Sequence, residues 1–171
     1  RADLVISSYC LNELAPSARK AALLKLWSST EKLLLIVEPG TPEGFSQLRE
    51  ARRLLIDEGG CIAAPCPHNG ECMLPEDDWC HFTARVARTK LHKQLKGGDA
   101  PYEDEKFCFL AVSRSECAGK ARILRHPKIE SGKITLRLCT EQGISDKMVT
   151  KKSPLFKAAR KSDSGDSFAA E

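Results

Sequence analysis

The sequence predicts an α/β fold on three observations. Strand-length apolar runs alternate with helix-length segments at the start, a proline-rich stretch with three cysteines interrupts them, and short strands with glycine bends follow. Residues 3–8 read as a buried strand, and residues 17–27, entered past Pro16 and apolar at Ala21, Leu24 and Leu26, as a helix. Residues 32–37 form a second apolar strand, from which Glu38-Pro39-Gly40-Thr41-Pro42 turns into a helix over 43–57 that stops at Gly59-Gly60. This alternation predicts a parallel sheet with right-handed crossovers. Over 61–79, Pro65, Pro67, Asn69-Gly70 and Pro75 predict an irregular loop. Residues 80–96 read as strand or as strand followed by helix, and 106–113 as a strand. Strands over 120–124, 133–139 and 146–151, with bends at Ser131-Gly132 and Gln142-Gly143, predict a small antiparallel β meander. The domains so drawn are an α/β unit over 1–115 that includes a cysteine-rich loop at 61–80, a β extension over 116–161, and a polar tail over 162–171 expected to fray.

Composition sets the class. The 171 residues are 42% hydrophobic and 29% charged, the balance of a folded globular domain rather than a disordered or fibrous chain. The longest apolar run, 33–37, falls far short of the roughly 20 residues that span a bilayer, so no membrane insertion is expected. Arg1-Ala2-Asp3 leads directly into Leu4-Val5-Ile6, without the pattern of a signal peptide, and the chain is expected to be cut from something longer. Eight cysteines could mark a secreted disulfide scaffold, but such scaffolds are short and loop-rich. An intracellular protein with reduced thiols is expected.

The loop places Cys66, Cys72 and Cys80 within fifteen positions and supplies no core of its own, which predicts metal ligation. Cys139, at the end of a predicted strand, is a better-placed fourth ligand than Cys117 or Cys108, which alternates with Phe107 and Phe109 as a small buried hydrophobe does. An iron–sulfur cluster and a zinc site, the latter on four thiolates or on three with His68 or His81, both fit this donor set. The absence of paired CxxC knuckles tilts the reading toward the cluster. Cys10 and Cys61 read as ordinary thiols.

Ordered strings along the chain carry a resemblance: 3–9 (Asp-Leu-Val-Ile-Ser-Ser-Tyr) with Leu11-Asn12-Glu13-Leu14, 37–45 (Val-Glu-Pro-Gly-Thr-Pro-Glu-Gly-Phe), Pro65-Cys66-Pro67-His68, Asp78-Trp79-Cys80-His81-Phe82 and Leu138-Cys139-Thr140. Through these the chain resembles the C-terminal part of the methyltransferase-like family of mitochondrial and bacterial small-ribosomal-subunit assembly proteins. The resemblance implies the C-terminal half of a class I methyltransferase-like (Rossmann-like) sheet with a cysteine-rich metal-binding insertion, and a 4Fe–4S cluster on Cys66, Cys72, Cys80 and Cys139. It further implies small-subunit rRNA and ribosomal proteins as partners, with no DNA, in the mitochondrial matrix or a bacterial cytoplasm.

The glycine-rich turn and acidic residue that cradle S-adenosylmethionine in such folds are absent from the sequence, so that cofactor is expected only with a missing N-terminal half. No catalytic residue is assigned. Residues 7–13 lack an Asn/Asp-Pro-Pro-Tyr motif, Cys10 lacks the Pro-Cys or Thr-Cys pair, and Glu13 and Glu38 read as capping or pairing groups. An rRNA methyltransferase completed by residues outside this chain is the enzyme alternative, and a zinc-stabilised interaction module a further one. The net charge of +4 is modest, but two stretches lack acids: 85–96, with Arg85, Arg88, Lys90, Lys93 and Lys96, and 147–161, with Lys151, Lys152, Arg160 and Lys161. On charge alone, contact with RNA phosphates and a merely solvated surface fit equally, and the resemblance favours RNA contact.

Overall fold

A computed structural model describes residues 1–117 and 119–169. The described residues form two five-stranded sheets with four helices. In the first sheet β1 (Ala2–Ser8) lies parallel to β2 (Thr30–Pro39), with α1 (Pro16–Ser29) crossing between them, as the strand–helix–strand pattern predicts. The rest of that sheet departs from expectation. β5 (Tyr102–Ser113) pairs antiparallel with β2, with β3 (Cys61–Ala64) and with β4 (Phe82–Ala87), so the sheet is mixed. The chain leaves β4 through a short turn and the seven-residue α3 (Lys90–Lys96), too little to cross back over the sheet, and so β5 returns beside β4 in the opposite direction.

α2 (Pro42–Asp57) starts where its sequence dictates. Thr41 accepts a hydrogen bond from the Gly44 N–H at 3.1 Å, Pro42 occupies the first turn, and Gly59, at φ 80°, lets the chain leave the helix. Its inner face buries Leu48, Ala51 and Leu55 against Leu34, Ile36, Ile62, Leu110 and Val112 of the sheet. Among the described residues no helix is long and apolar enough to cross a membrane.

The second sheet is the predicted meander, enlarged. β6 (Ala121–Ile123), β8 (Lys133–Thr140) and β9 (Gly143–Thr150) match expectation, and β7 (Lys128–Glu130) is added. A second core of Ile123, Ile134, Leu136, Leu138 and Val149 is closed by Ala159 of the unforeseen α4 (Phe156–Lys161) and by Phe168. Phe168 sits in β10 (Ser167–Phe168), which pairs with β6, so the tail expected to fray is anchored there; residues 170–171 of that expectation lie outside the described ones. One buried phenyl ring reverses a prediction made from the polar residues around it.

A second correction concerns the thiols. Cys61 and Cys117 form a disulfide across 6.2 Å between Cα atoms, whereas reduced thiols were expected throughout. Their separation of 56 residues carries no spacing signal, and only the folded chain brings β3 beside the strand-free segment that follows β5.

Candidate metal centre

Three of the four expected ligands lie on the segment between β3 and β4, which follows a cis Ala64–Pro65 peptide; the fourth comes from the other sheet. Along β8 the side chains of Ile134, Leu136 and Leu138 enter the second core, so alternation turns Cys139 to the opposite face. That face meets the loop. Cys66, Cys72, Cys80 and Cys139 line a single cavity between the two sheets, together with Arg52 and Leu74. Neither His68 nor His81 is among its lining residues; His81 stacks on Trp79 with ring centroids 5.1 Å apart.

Several contacts hold the loop to the second sheet. Arg122 donates to the Pro65 carbonyl at 3.1 Å, and Arg125 pairs with Asp78 and donates to the Trp79 carbonyl at 3.2 Å. Trp79 in turn donates to the Gly40 carbonyl at 3.0 Å. A Cβ on Gly119 would lie 2.3 Å from Cα of Pro67, so the approach of these segments requires glycine.

The electrostatics follow from enclosure. Burial is the largest cause of the raised Cys66, Cys80 and Cys139 thiol pKa values, the last to about 12, and mutual repulsion among the thiolates raises them further. Nearby guanidinium charge opposes this: Arg52 and Arg122 at Cys66 and Cys139, Arg125 at Cys80. Such thiols are protonated at neutral pH unless a bound cation compensates them. Arg52 itself is only 7% exposed; its Nη2 donates to the His68 carbonyl at 2.7 Å, and its Nε has no partner among the described residues. Four soft donors and a buried unpartnered N–H are a chemistry that suits a metal–sulfur group. No group of three or more His, Cys, Asp or Glu side chains among the described residues is arranged to hold a single metal ion.

Cys108, buried at 2% exposure with its Sγ 3.1 Å from the Pro39 carbonyl oxygen, also borders the cavity, though β5 alternation had marked it as core alone. Glu38 is fully buried and accepts the Leu11 N–H, in the turn after β1, at 2.9 Å, rather than capping a helix or pairing with an arginine as expected.

The two basic stretches differ. Over 85–96, Arg85 pairs with Asp104 at 2.8 Å, and both Arg88, at 3.0 Å, and Lys96 pair with Glu103. The acids come from β5, which lies beside β4 in register, so a segment without acids in sequence is largely neutralised in space. Lys90 and Lys93 form no ion pair among the described residues. By contrast Lys151 and Lys152, in the turn after β9, and Arg160 and Lys161, in the last turn of α4, are exposed and have no acidic partner among the described residues.

The architecture is that of an α/β protein in which a cysteine-lined cavity lies between a mixed sheet and an antiparallel one. Its sequence matches the model of one family, described as mitochondrial small ribosomal subunit Rsm22, over residues 1–169, and the chain belongs to that family. It is 29% identical to the human ribosome assembly protein METTL17, mitochondrial, over 66% of this chain and 26% of that protein. It is 23% identical to the Rsm22-cox11 tandem protein 2, mitochondrial, of Schizosaccharomyces pombe over 98% of this chain and 29% of that protein. The matches thus span less than a third of either relative.

Proposed function

We propose that this chain is the metal-binding part of a mitochondrial small-subunit assembly factor, in which Cys66, Cys72, Cys80 and Cys139 hold a 4Fe–4S cluster and the basic surface between β9 and α4 contacts rRNA. The convergence of four thiols, three from the loop between β3 and β4 and one from β8, on one cavity is the observation that carries the reading. The cluster would supply the positive metal charge that four enclosed thiolates require, and would tie the loop 61–80 to β8. The acid-free patch at Lys151, Lys152, Arg160 and Lys161 supports phosphate contact. The family relationship supports the ribosome as the setting and the matrix as the compartment. The fold reads as the C-terminal half of a class I methyltransferase-like sheet, supported by the parallel β1–β2 pair joined through α1. It performs no methyl transfer by itself, since the glycine-rich cofactor turn is not in its sequence.

Metal and acid-labile sulfide content, with a visible spectrum, on anaerobically purified protein tests the centre. Iron and sulfide in equal amounts, lost in Cys66→Ser and Cys139→Ser, are expected. Zinc without sulfide would replace the cluster by a structural zinc site, and no metal would overturn the centre.

A further inference from the structure

Four arginines lie at or near the thiol cavity, and they are not equivalent: Arg49 and Arg52 line it, while Arg122 and Arg125 act on its thiols through their charge. Arg49 is partly exposed and lies over the Phe45 ring, 5.9 Å from its centroid. The guanidinium of Arg122 is committed to two carbonyls, those of Pro65 at 3.1 Å and Gly165 at 2.8 Å. Arg125 is committed to Asp78 and to the Leu124 and Trp79 carbonyls. Arg52 differs in burial and in its unsatisfied donor, and like Arg122 it lacks a carboxylate partner among the described residues. It is more than nine-tenths buried, and its Nε donor is unsatisfied.

A buried cation without a counter-charge, and a buried N–H without an acceptor, are each unfavourable in an apolar setting. Nothing in the first core calls for them: the neighbouring residues on the same face of α2 are Leu48, Ala51 and Leu55, all apolar. The helix nevertheless places Arg52 at the cavity wall, beside Cys66 and Cys72. The His68 carbonyl it reaches belongs to the same thiol loop, so the side chain is held from the loop while its buried Nε–H has no acceptor among the described residues.

We propose that Arg52 is a positioning residue for the metal–sulfur centre, giving its unpartnered N–H and its fixed positive charge to the four-thiolate group. The inference rests on the cluster reading above and extends it to a residue outside the ligand set. A hydrogen-bond donor and a positive charge beside such a centre both stabilise its more reduced, more negative state, so Arg52 raises the reduction potential and slows loss of the metal. Lysine cannot reproduce this, because its ammonium keeps the charge but lacks the planar fork that can bond the His68 carbonyl and a sulfur together.

The test uses the whole chain, purified anaerobically, as wild type, Arg52→Met and Arg52→Lys. Circular dichroism establishes folding; iron and sulfide content, the rate of iron loss to a chelator, and the midpoint of a reductive titration are then read. Arg52→Met is expected to shift the midpoint to a more negative potential and to release iron about 10-fold faster, with Arg52→Lys between it and wild type. A cluster-loaded Arg52→Met with the wild-type midpoint and release rate overturns the role of Arg52 and leaves the cluster reading standing. Should Arg52→Met fail to fold, Arg52→Lys decides: a midpoint and release rate equal to wild type overturn the proposal. Wild-type protein without iron and sulfide overturns the cluster reading and this inference with it.

Discussion

Phe168 is 4% exposed and closes the second core near the end of a polar tail. Truncating a buried phenyl ring removes its transfer free energy and leaves a cavity, so Phe168→Ala is expected to cost about 3–5 kcal/mol, measured by chemical denaturation. A tail that frayed would lose almost nothing. The Cys61–Cys117 cross-link makes a second residue-scale prediction. It closes a loop of 56 residues, and Cys61→Ser is expected to lower stability under non-reducing conditions by about 2–4 kcal/mol. In excess thiol reductant, wild type and variant should unfold together; a difference that persists there would assign the loss to packing at Cys61 instead. Both residues expose the same limit of sequence reading. Local composition describes the neighbours along the chain, whereas burial and cross-linking depend on neighbours brought from far away.

At the scale of elements, the start of the chain was legible because each signal is local: Pro16 and Pro42 at helix starts, the Thr41 cap, and Gly59 at a helix end. The four-cysteine set was legible for a related reason, since three members share one short loop and Cys139 ends a strand with clear alternation. The direction of β5 was not, because periodicity identifies a strand without saying which neighbour it will join. The same blindness affects charge. Arg85 and Arg88 lack acids along the chain but meet Asp104 and Glu103 across the β4–β5 pair, while Lys151 and Lys152 meet none among the described residues. The two stretches should therefore differ in RNA binding. Lys151→Ala with Lys152→Ala is expected to weaken binding to small-subunit rRNA and to reduce the slope of log affinity against log salt by about 2, roughly one per phosphate contact. Arg85→Ala with Arg88→Ala should leave that slope nearly unchanged. Equal effects from both pairs would show that the β5 carboxylates do not neutralise the first stretch.

At the scale of the molecule, two hydrophobic cores are built from different parts of the chain, one within the mixed sheet and its helices, the other within the antiparallel sheet. The region between them is sulfur-rich and crossed by polar contacts. It consists of the thiol cavity, the Arg122 and Arg125 bonds to the loop, and the close approach of Gly119 to Pro67. Each core is closed by its own side chains, and the contacts of this seam place one against the other. A metal–sulfur centre on Cys66, Cys72, Cys80 and Cys139 would join the two halves through ligands from the β3–β4 loop and from β8, and metal-dependent folding energy would then be concentrated there. Removing the metal anaerobically with a chelator is therefore expected to leave the secondary structure largely intact while exposing residues 61–80 and 119–121 to protease. The cores themselves should be cut later. Gly119→Ala should reproduce part of this sensitivity even with metal bound, because the added methyl group cannot fit beside the Pro67 backbone. If limited proteolysis followed by mass spectrometry finds the seam equally protected in metal-free and metal-bound protein, the contacts of Arg122, Arg125 and Gly119 suffice to hold the sheets together. The cysteines then serve the bound group and not the architecture.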